Sequence, residues 1–118
     1  MDAEQAIHSF WSVFGKAYDE NSVPDTAQLP YITYSVSFDS FDYSVSMSAS
    51  IWDRSMSWEY LTKKAQQISE YIGGGKVIKT DYGGIVIHRD SPFYQRIDSG
   101  NKEIKRIYIN LQVDYIQN

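Results

Sequence analysis

The stretch that decides the fold is Tyr43-Ser44-Val45-Ser46-Met47-Ser48-Ala49-Ser50-Ile51, in which apolar residues alternate with serines. Side chains along a β-strand point to opposite faces with a period of two, so this pattern predicts a strand with one apolar and one serine face. The usual polar-out pattern of antiparallel sheets favours the serine face as the solvent side. The alternative is a smooth, uncharged surface against which a neighbouring subunit lies.

Further strands are predicted on both sides of this stretch. Residues Tyr31 to Phe38 alternate too, and the short connection Asp39-Ser40-Phe41-Asp42 predicts an antiparallel hairpin. A second hairpin is predicted from Lys76–Asp81 and Ile85–Arg89, because the Gly-Gly pair in Tyr82-Gly83-Gly84 is a turn signal between β-forming runs. The last predicted strand is long, and its inward-facing residues are Ile107, Ile109, Leu111, Val113 and Tyr115.

Two amphipathic helices are predicted from apolar residues at three- and four-residue spacings. The first stops at Gly15, and the second runs from about Ser57, a candidate N-cap, to Ile72, before three glycines. The apolar stripes are Ala3, Ala6, Ile7, Phe10, Trp11 and Phe14 in the first helix, and Trp58, Leu61, Ala65, Ile68 and Ile72 in the second.

The predicted order of elements is α-β-β-α-β-β-β within a single domain, residues 1–118. Helices separated from antiparallel hairpins predict an α+β fold. We expect an antiparallel or mixed sheet of about five strands with two helices packed on one face. The chain has 118 residues, which is enough to close one hydrophobic core.

Composition limits the classes of partner. Fifteen acidic residues against 11 basic ones give a net charge of −4. This charge argues against a protein that binds nucleic acid tightly, but not against a protein that DNA only slides past. The absence of cysteine excludes disulfides and thiolate chemistry. No apolar run approaches the roughly 20 residues of a membrane helix, and the acidic start Met1-Asp2-Ala3-Glu4 is not expected to be a secretory signal.

Sequence patterns of catalysis and metal binding are missing. His8 and His88 are the only histidines, and neither has a metal-binding spacing. No serine lies in a Gly-x-Ser-x-Gly elbow. Gly73-Gly74-Gly75-Lys76 follows a predicted helix and precedes a strand, the reverse of a phosphate loop. We therefore expect a protein that is not an enzyme and has no cofactor and no metal site.

Three segments are predicted to make contacts instead. The loops 16–30 and 90–101 are long for so small a domain, and such loops are usually functional or disordered. The segment Trp52–Trp58 fits either corner packing with a surface ion pair or an Arg/Trp hot spot at an interface. Ten tyrosines fit both interfaces and ordinary strands. The candidate interface residues are Tyr18, Asp19, Glu20, Val23, Pro24, Trp52, Asp53, Arg54, Phe93, Tyr94 and Arg96.

One family resemblance rests on these segments. Ala17-Tyr18-Asp19-Glu20-Asn21-Ser22-Val23-Pro24-Asp25, with Leu29-Pro30-Tyr31-Ile32-Thr33-Tyr34, resembles the N-terminal signature of tail terminator (tail-to-head joining, or tail completion) proteins of long-tailed phages and prophages of Gram-positive bacteria. Ile51-Trp52-Asp53-Arg54-Ser55 and Ser57-Trp58 resemble that family too, as does the order of elements over nearly the whole chain.

The resemblance implies a non-enzymatic structural protein that caps the tail tube as a homo-oligomeric, hexameric ring. Such a ring ends tail polymerisation and provides the head-joining surface. The implied partners are other copies of the chain, the tail-tube protein and the head connector or completion protein, with DNA only in transit through the lumen and no membrane. The implied location is the virion tail, after assembly in the bacterial cytoplasm. The family has no catalytic residues to carry over.

Two alternatives stay open at this point. The first is another head–tail connector or a tail-tube component. The second is a small-ligand binding module that uses the sheet face opposite the helices. Its pocket would be lined by Ser44, Ser46, Ser48, Tyr31 and the two histidines.

Overall fold

A computed structural model describes residues 1–36 and 45–117 of the chain. The predicted connection Asp39-Ser40-Phe41-Asp42, together with Phe38, Tyr43 and Ser44, lies outside the described residues. Within them the chain forms two helices and six strands. These are α1 (Ala3–Ser12), β1 (Ala17–Asp19), β2 (Tyr31–Val36), β3 (Val45–Arg54), α2 (Glu59–Ile72), β4 (Lys76–Thr80), β5 (Gly83–Asp98) and β6 (Ile104–Gln117).

The strands form one mixed sheet in the order β1-β2-β3-β6-β5-β4. β1 pairs with β2 in parallel, and the other neighbours are antiparallel. The α+β prediction is confirmed, but the sheet has one strand more than the five expected. β1 lies in the segment that was predicted as a loop. The strand was not predicted because three residues are too few to show an alternation of apolar and polar side chains. Backbone hydrogen bonds hold it in place: Ile32 N donates to Lys16 O at 2.8 Å, and Glu20 N donates to Tyr34 O at 3.0 Å.

The hydrophobic core lies between one face of the sheet and both helices, as predicted. Cross-strand pairs in the two central strands set it: Ala49 lies opposite Ile109, and Met47 lies opposite Leu111. Because paired residues point to the same face, the apolar sets of β3 and β6 reach the core together. The helices cover them with Ala6, Ile7, Phe10 and Trp11 of α1 and with Leu61, Ala65, Ile68 and Ile72 of α2.

The sheet curls around α1, which contacts both edge strands, β1 and β4. A helix of 10 residues is only about 15 Å long, whereas six strands laid flat span about 24 Å. The helix-bearing face is therefore concave and the opposite face convex. The start of the chain is fixed at the β4 edge, where the amino group of Met1 lies 2.7 Å from Asp81 Oδ1.

The helix ends follow local hydrogen bonding. Asp2 caps α1 through a reciprocal pair of hydrogen bonds with Gln5, so the helix begins where its first backbone N–H groups find acceptors. Ser57 was the predicted N-cap of α2, and this prediction is wrong. That position belongs to Trp58, whose side chain makes no capping bond, while Ser57 Oγ accepts from Glu59 N at 3.1 Å.

The largest correction concerns β5. The predicted strand 85–89 continues through residues 90–98 of the predicted loop as one long strand, Gly83–Asp98, with a bulge between Arg89 and Tyr94. Pro92 misled the prediction, since proline breaks a regular strand but is tolerated at a bulge. Asn110 Nδ2 donates to the Pro92 carbonyl at 3.1 Å and ties the bulge to β6. In the described part of the chain, neither helix is long and apolar enough to cross a membrane.

Candidate interaction site

The convex face of the sheet carries a cluster of aromatic residues around Trp52. Trp52 lies in β3, opposite Tyr31 of β2 on one side and Arg106 of β6 on the other. Its indole Nε1 donates to Thr33 Oγ1 at 3.1 Å, which fixes the orientation of the ring. We call this cluster the Trp52 patch; its members are Tyr18, Tyr31, Trp52, Arg106 and Tyr108.

Arg106 connects the members of the Trp52 patch. Its guanidinium carbon lies 4.6 Å from the ring centre of Trp52 and 5.8 Å from that of Tyr108. Its Nε donates to Ser50 Oγ at 3.0 Å. Tyr18 packs edge-on against Tyr31, with ring centres 5.9 Å apart. The patch is therefore a half-buried, hydrogen-bonded surface of Arg, Trp and Tyr, the side chains most enriched at interface hot spots.

The serines of β3 share this face but differ in their exposure. Ser46 is exposed and Ser48 is half-buried, whereas Ser50 is only 4% exposed. The favoured interpretation, a solvent face, describes the start of β3. At Ser50 the serine is the small residue that accepts the Arg106 hydrogen bond under the aromatic cover.

The concave side carries a second surface, where Trp58 precedes α2. The Arg96 guanidinium carbon lies 4.9 Å from the Trp58 ring centre, and Lys105 Nζ lies 5.8 Å from it. A cavity of about 590 Å³ opens here between Trp58 and the β5–β6 hairpin. We call it the Trp58 cavity. Trp58 packs against the core while Trp52 belongs to the convex face, so the predicted corner is divided between two surfaces.

The two charged residues of the Trp52–Trp58 segment also lie on opposite faces of the sheet. Arg54 forms an exposed ion pair with Glu103, with Nη1 and Oε2 3.4 Å apart, and exposed pairs of this kind contribute little to stability. Asp53 lies on the helix side, opposite Lys105 in the register. Burial raises the pKa of the Tyr60 hydroxyl, and the negative charge of Asp53 raises it further.

The remaining predicted residues occupy three environments. Tyr18 and Asp19 are in β1, and only Tyr18 joins the Trp52 patch. Glu20 and Pro24 are exposed on the following turn, and Val23 is half-buried. Phe93 packs against the core and meets the exposed Tyr94 edge-on at 6.0 Å.

The residues expected to line a ligand pocket are divided between the two faces of the sheet, and Ser44 lies outside the described residues. His8 Nδ1 lies 3.0 Å from Tyr34 OH on the helix side, and burial, followed by the charges of Asp19 and Glu4, raises the pKa of that hydroxyl. His88 pairs in register with Gln112, on the opposite face, and its Nε2 lies 3.2 Å from Asp114 Oδ2.

Metal ligands are not grouped on the described residues either. Among residues 1–36 and 45–117, no group of three His, Asp or Glu side chains is placed to hold a metal ion. A further cavity, of about 400 Å³, lies at the start of α1 beside Tyr82 and Tyr115, away from the serines.

Three members of the Trp52 patch, Tyr31, Arg106 and Tyr108, were not among the candidate interface residues, and the two in β6 were not singled out at all. The signal was present, because Arg106, Tyr108, Asn110 and Gln112 alternate with the inward apolar residues of β6. The sequence does not predict which strands lie beside β6. The proximity of Arg106 and Tyr108 to Trp52 could therefore not be predicted.

These features define an α+β fold with a curled mixed sheet and an aromatic, arginine-bearing convex face. No protein-family model matches the chain, and no curated protein matches it.

Proposed function

We propose that this protein is a non-enzymatic structural subunit of a phage tail that caps the tail tube as a ring of identical copies. In this role it ends tail polymerisation and provides the head-joining surface. Its partners are other copies of itself, the tail-tube protein and the head connector, while DNA passes through the lumen. The resemblance of residues 17–34 and 51–58 to tail terminator proteins motivates the proposal.

One structural observation supports the proposed function. Residues 35–50 separate the two resembling segments, and the side-by-side strands β1, β2 and β3 bring the segments together. They supply Tyr18, Tyr31 and Trp52 to one continuous patch. Both segments therefore contribute to a surface suited to contact, which supports an assembly role over chemistry.

A role as another head–tail connector or tail-tube component uses the same kind of surface and differs in position within the particle. The ligand-binding alternative has less support, because His8 lies on the helix side of the sheet, whereas the serines and His88 lie on the convex face. The convex curvature of that face also opposes it, since ligand sites are concave.

Electron microscopy of tails assembled with and without the protein tests the proposal. Without it, we expect tails of uncontrolled length that do not join heads, and adding the protein back restores both properties. Adding back a Trp52→Ala variant is expected to restore them poorly, because the centre of the patch is lost. Tails of normal length and full head-joining in the absence of the protein would contradict the proposal.

A further inference from the structure

The Trp58 cavity concentrates positive charge on a chain whose net charge is −4. Its lining includes three cations, Arg96, Lys102 and Lys105, and the carboxylate of Asp98, and Asp53 lies opposite Lys105 in the neighbouring strand, so cations outnumber carboxylates there. Within residues 1–36 and 45–117, none of the three cations forms an ion pair with a carboxylate. The cavity therefore keeps its positive charge available to a partner.

The protein holds two of these cations, Arg96 and Lys105, in place. Arg96 and Lys105 lie over the Trp58 ring, and Lys105 Nζ donates to the Lys102 carbonyl at 2.6 Å. Met56 adds a 74% exposed apolar side chain to the same lining. Fixed cations beside an apolar wall suit a segment that carries both carboxylates and apolar side chains.

The turn after β1 has this chemistry. It reads Asp19-Glu20-Asn21-Ser22-Val23-Pro24-Asp25, and its three acidic residues are exposed. Asp19 Oδ1 accepts from Asn21 N at 2.9 Å, and Ser22 N donates to Asp19 O at 2.9 Å, so the turn is locally ordered. In the described part of the chain, none of its carboxylates forms an ion pair. We call it the acidic turn.

We propose that the acidic turn of one copy docks into the Trp58 cavity of the next copy. Within one copy these surfaces belong to β1 and β5, four positions apart in the sheet, so the contact fits two copies. A contact between two different patches is heterologous, and it closes a ring when its rotation permits. The inference deepens the proposed function and rests on it for the ring, but the pairing of surfaces is a separate claim.

Carbodiimide coupling of the full chain tests the pairing, because it joins an amine to a carboxylate only in direct contact. Isotope-labelled and unlabelled protein are mixed at low ionic strength, coupled and digested. We expect peptides that join Lys102 or Lys105 of one copy to Glu20 or Asp25 of the other. If mass spectrometry finds no such inter-copy peptides, the proposal is overturned.

Charge reversal provides a second test on folded variants. Glu20→Lys with Asp25→Lys, and separately Arg96→Glu with Lys105→Glu, are each expected to weaken self-association about tenfold or more, since like charges then meet. An equimolar mixture is expected to recover it, because each reversed turn then meets a reversed cavity. Sedimentation velocity gives the association, and circular dichroism confirms the fold.

Glu70→Lys and Lys79→Glu are the matched controls, since both residues are exposed and outside the two surfaces. They are expected to associate like the wild type. Reversal variants that also do so, or a mixture as weak as its components, would overturn the pairing. Either result leaves the proposed function standing, because that function is judged by tail length and head joining. Paired surfaces with unaffected tails would reject the function alone.

Discussion

The guanidinium carbon of Arg106 lies 4.6 Å from the ring centre of Trp52, on the convex face of the sheet. The same side chain donates from Nε to Ser50 Oγ at 3.0 Å, and Ser50 is buried. Arg106 thus holds a charge over an aromatic face and satisfies a hydroxyl that water barely reaches. One residue of β6 thereby orients two residues of β3.

Arg106→Ala is expected to lower the free energy of unfolding by about 1–2 kcal/mol, the combined scale of a cation–π contact and one hydrogen bond. Urea unfolding measures the change. Arg54→Ala is the control, because the Arg54–Glu103 pair is exposed and is expected to contribute less than about 0.5 kcal/mol. Equal effects of the two substitutions would show that the contacts of Arg106 add no stability.

Under the proposed function, replacing Tyr18 and Val23 by Asp is expected to prevent ring formation on tails while leaving the chain folded. Tyr18 packs edge-on against Tyr31 in the Trp52 patch, and a carboxylate there removes apolar contact and adds charge beside Asp19. Electron microscopy of tails with added protein provides the measurement.

Tyr82→Asp serves as the control for that double variant, since Tyr82 is 82% exposed and lies between β4 and β5. It is expected to behave like the wild type. If the Tyr18 and Val23 variant terminated tails normally, the segment 16–30 would have no part in the interface.

Gly75→Ala is expected to destabilise the fold by about 1–3 kcal/mol, because its φ of +146° is strained for other residues. An added Cβ would also lie 3.1 Å from Cε1 of His88. Gly74→Ala is the matched control, since its added Cβ meets nothing within 4 Å. Thermal or urea unfolding compares the two, and equal stabilities would show that position 75 tolerates a side chain.

Stability is expected to fall at alkaline pH because of Tyr115. Burial, and secondly the charge of Glu4, raises the pKa of this hydroxyl to about 12, from a usual value of 10.0. Below about pH 10 both states keep the proton and the stabilisation is complete; between about pH 10 and 12 the unfolded state ionises first, so stability falls.

Tyr115→Phe removes that ionisation, so its free energy of unfolding is expected to decline less steeply over the same alkaline range. Urea unfolding at a series of pH values measures both slopes. Tyr82→Phe, a change at an exposed position, is expected to keep the slope of the wild type. Identical slopes for Tyr115→Phe and the wild type would assign the alkaline loss to other groups.

Much of the architecture was predictable from local patterns. Alternation identified β2, β3 and β6, and helical periodicity identified both helices and the residues they bury, because burial of an apolar face imposes the period of each element. β1 escaped because three residues carry no period. The second half of β5 escaped because Pro92 breaks the strand pattern, whereas the bulge that accommodates it depends on β6.

The sequence by itself determined the fold class, the inward faces of the strands and the excess of acidic residues. Only the tertiary structure decided that Trp52 meets Arg106 and that Trp58 meets Arg96. The physical reason is that alternation specifies which face a side chain takes but not which strand lies beside it. Strand order β1-β2-β3-β6-β5-β4 is set by long-range pairing, and it brought a different arginine to each of the two tryptophans of one short segment.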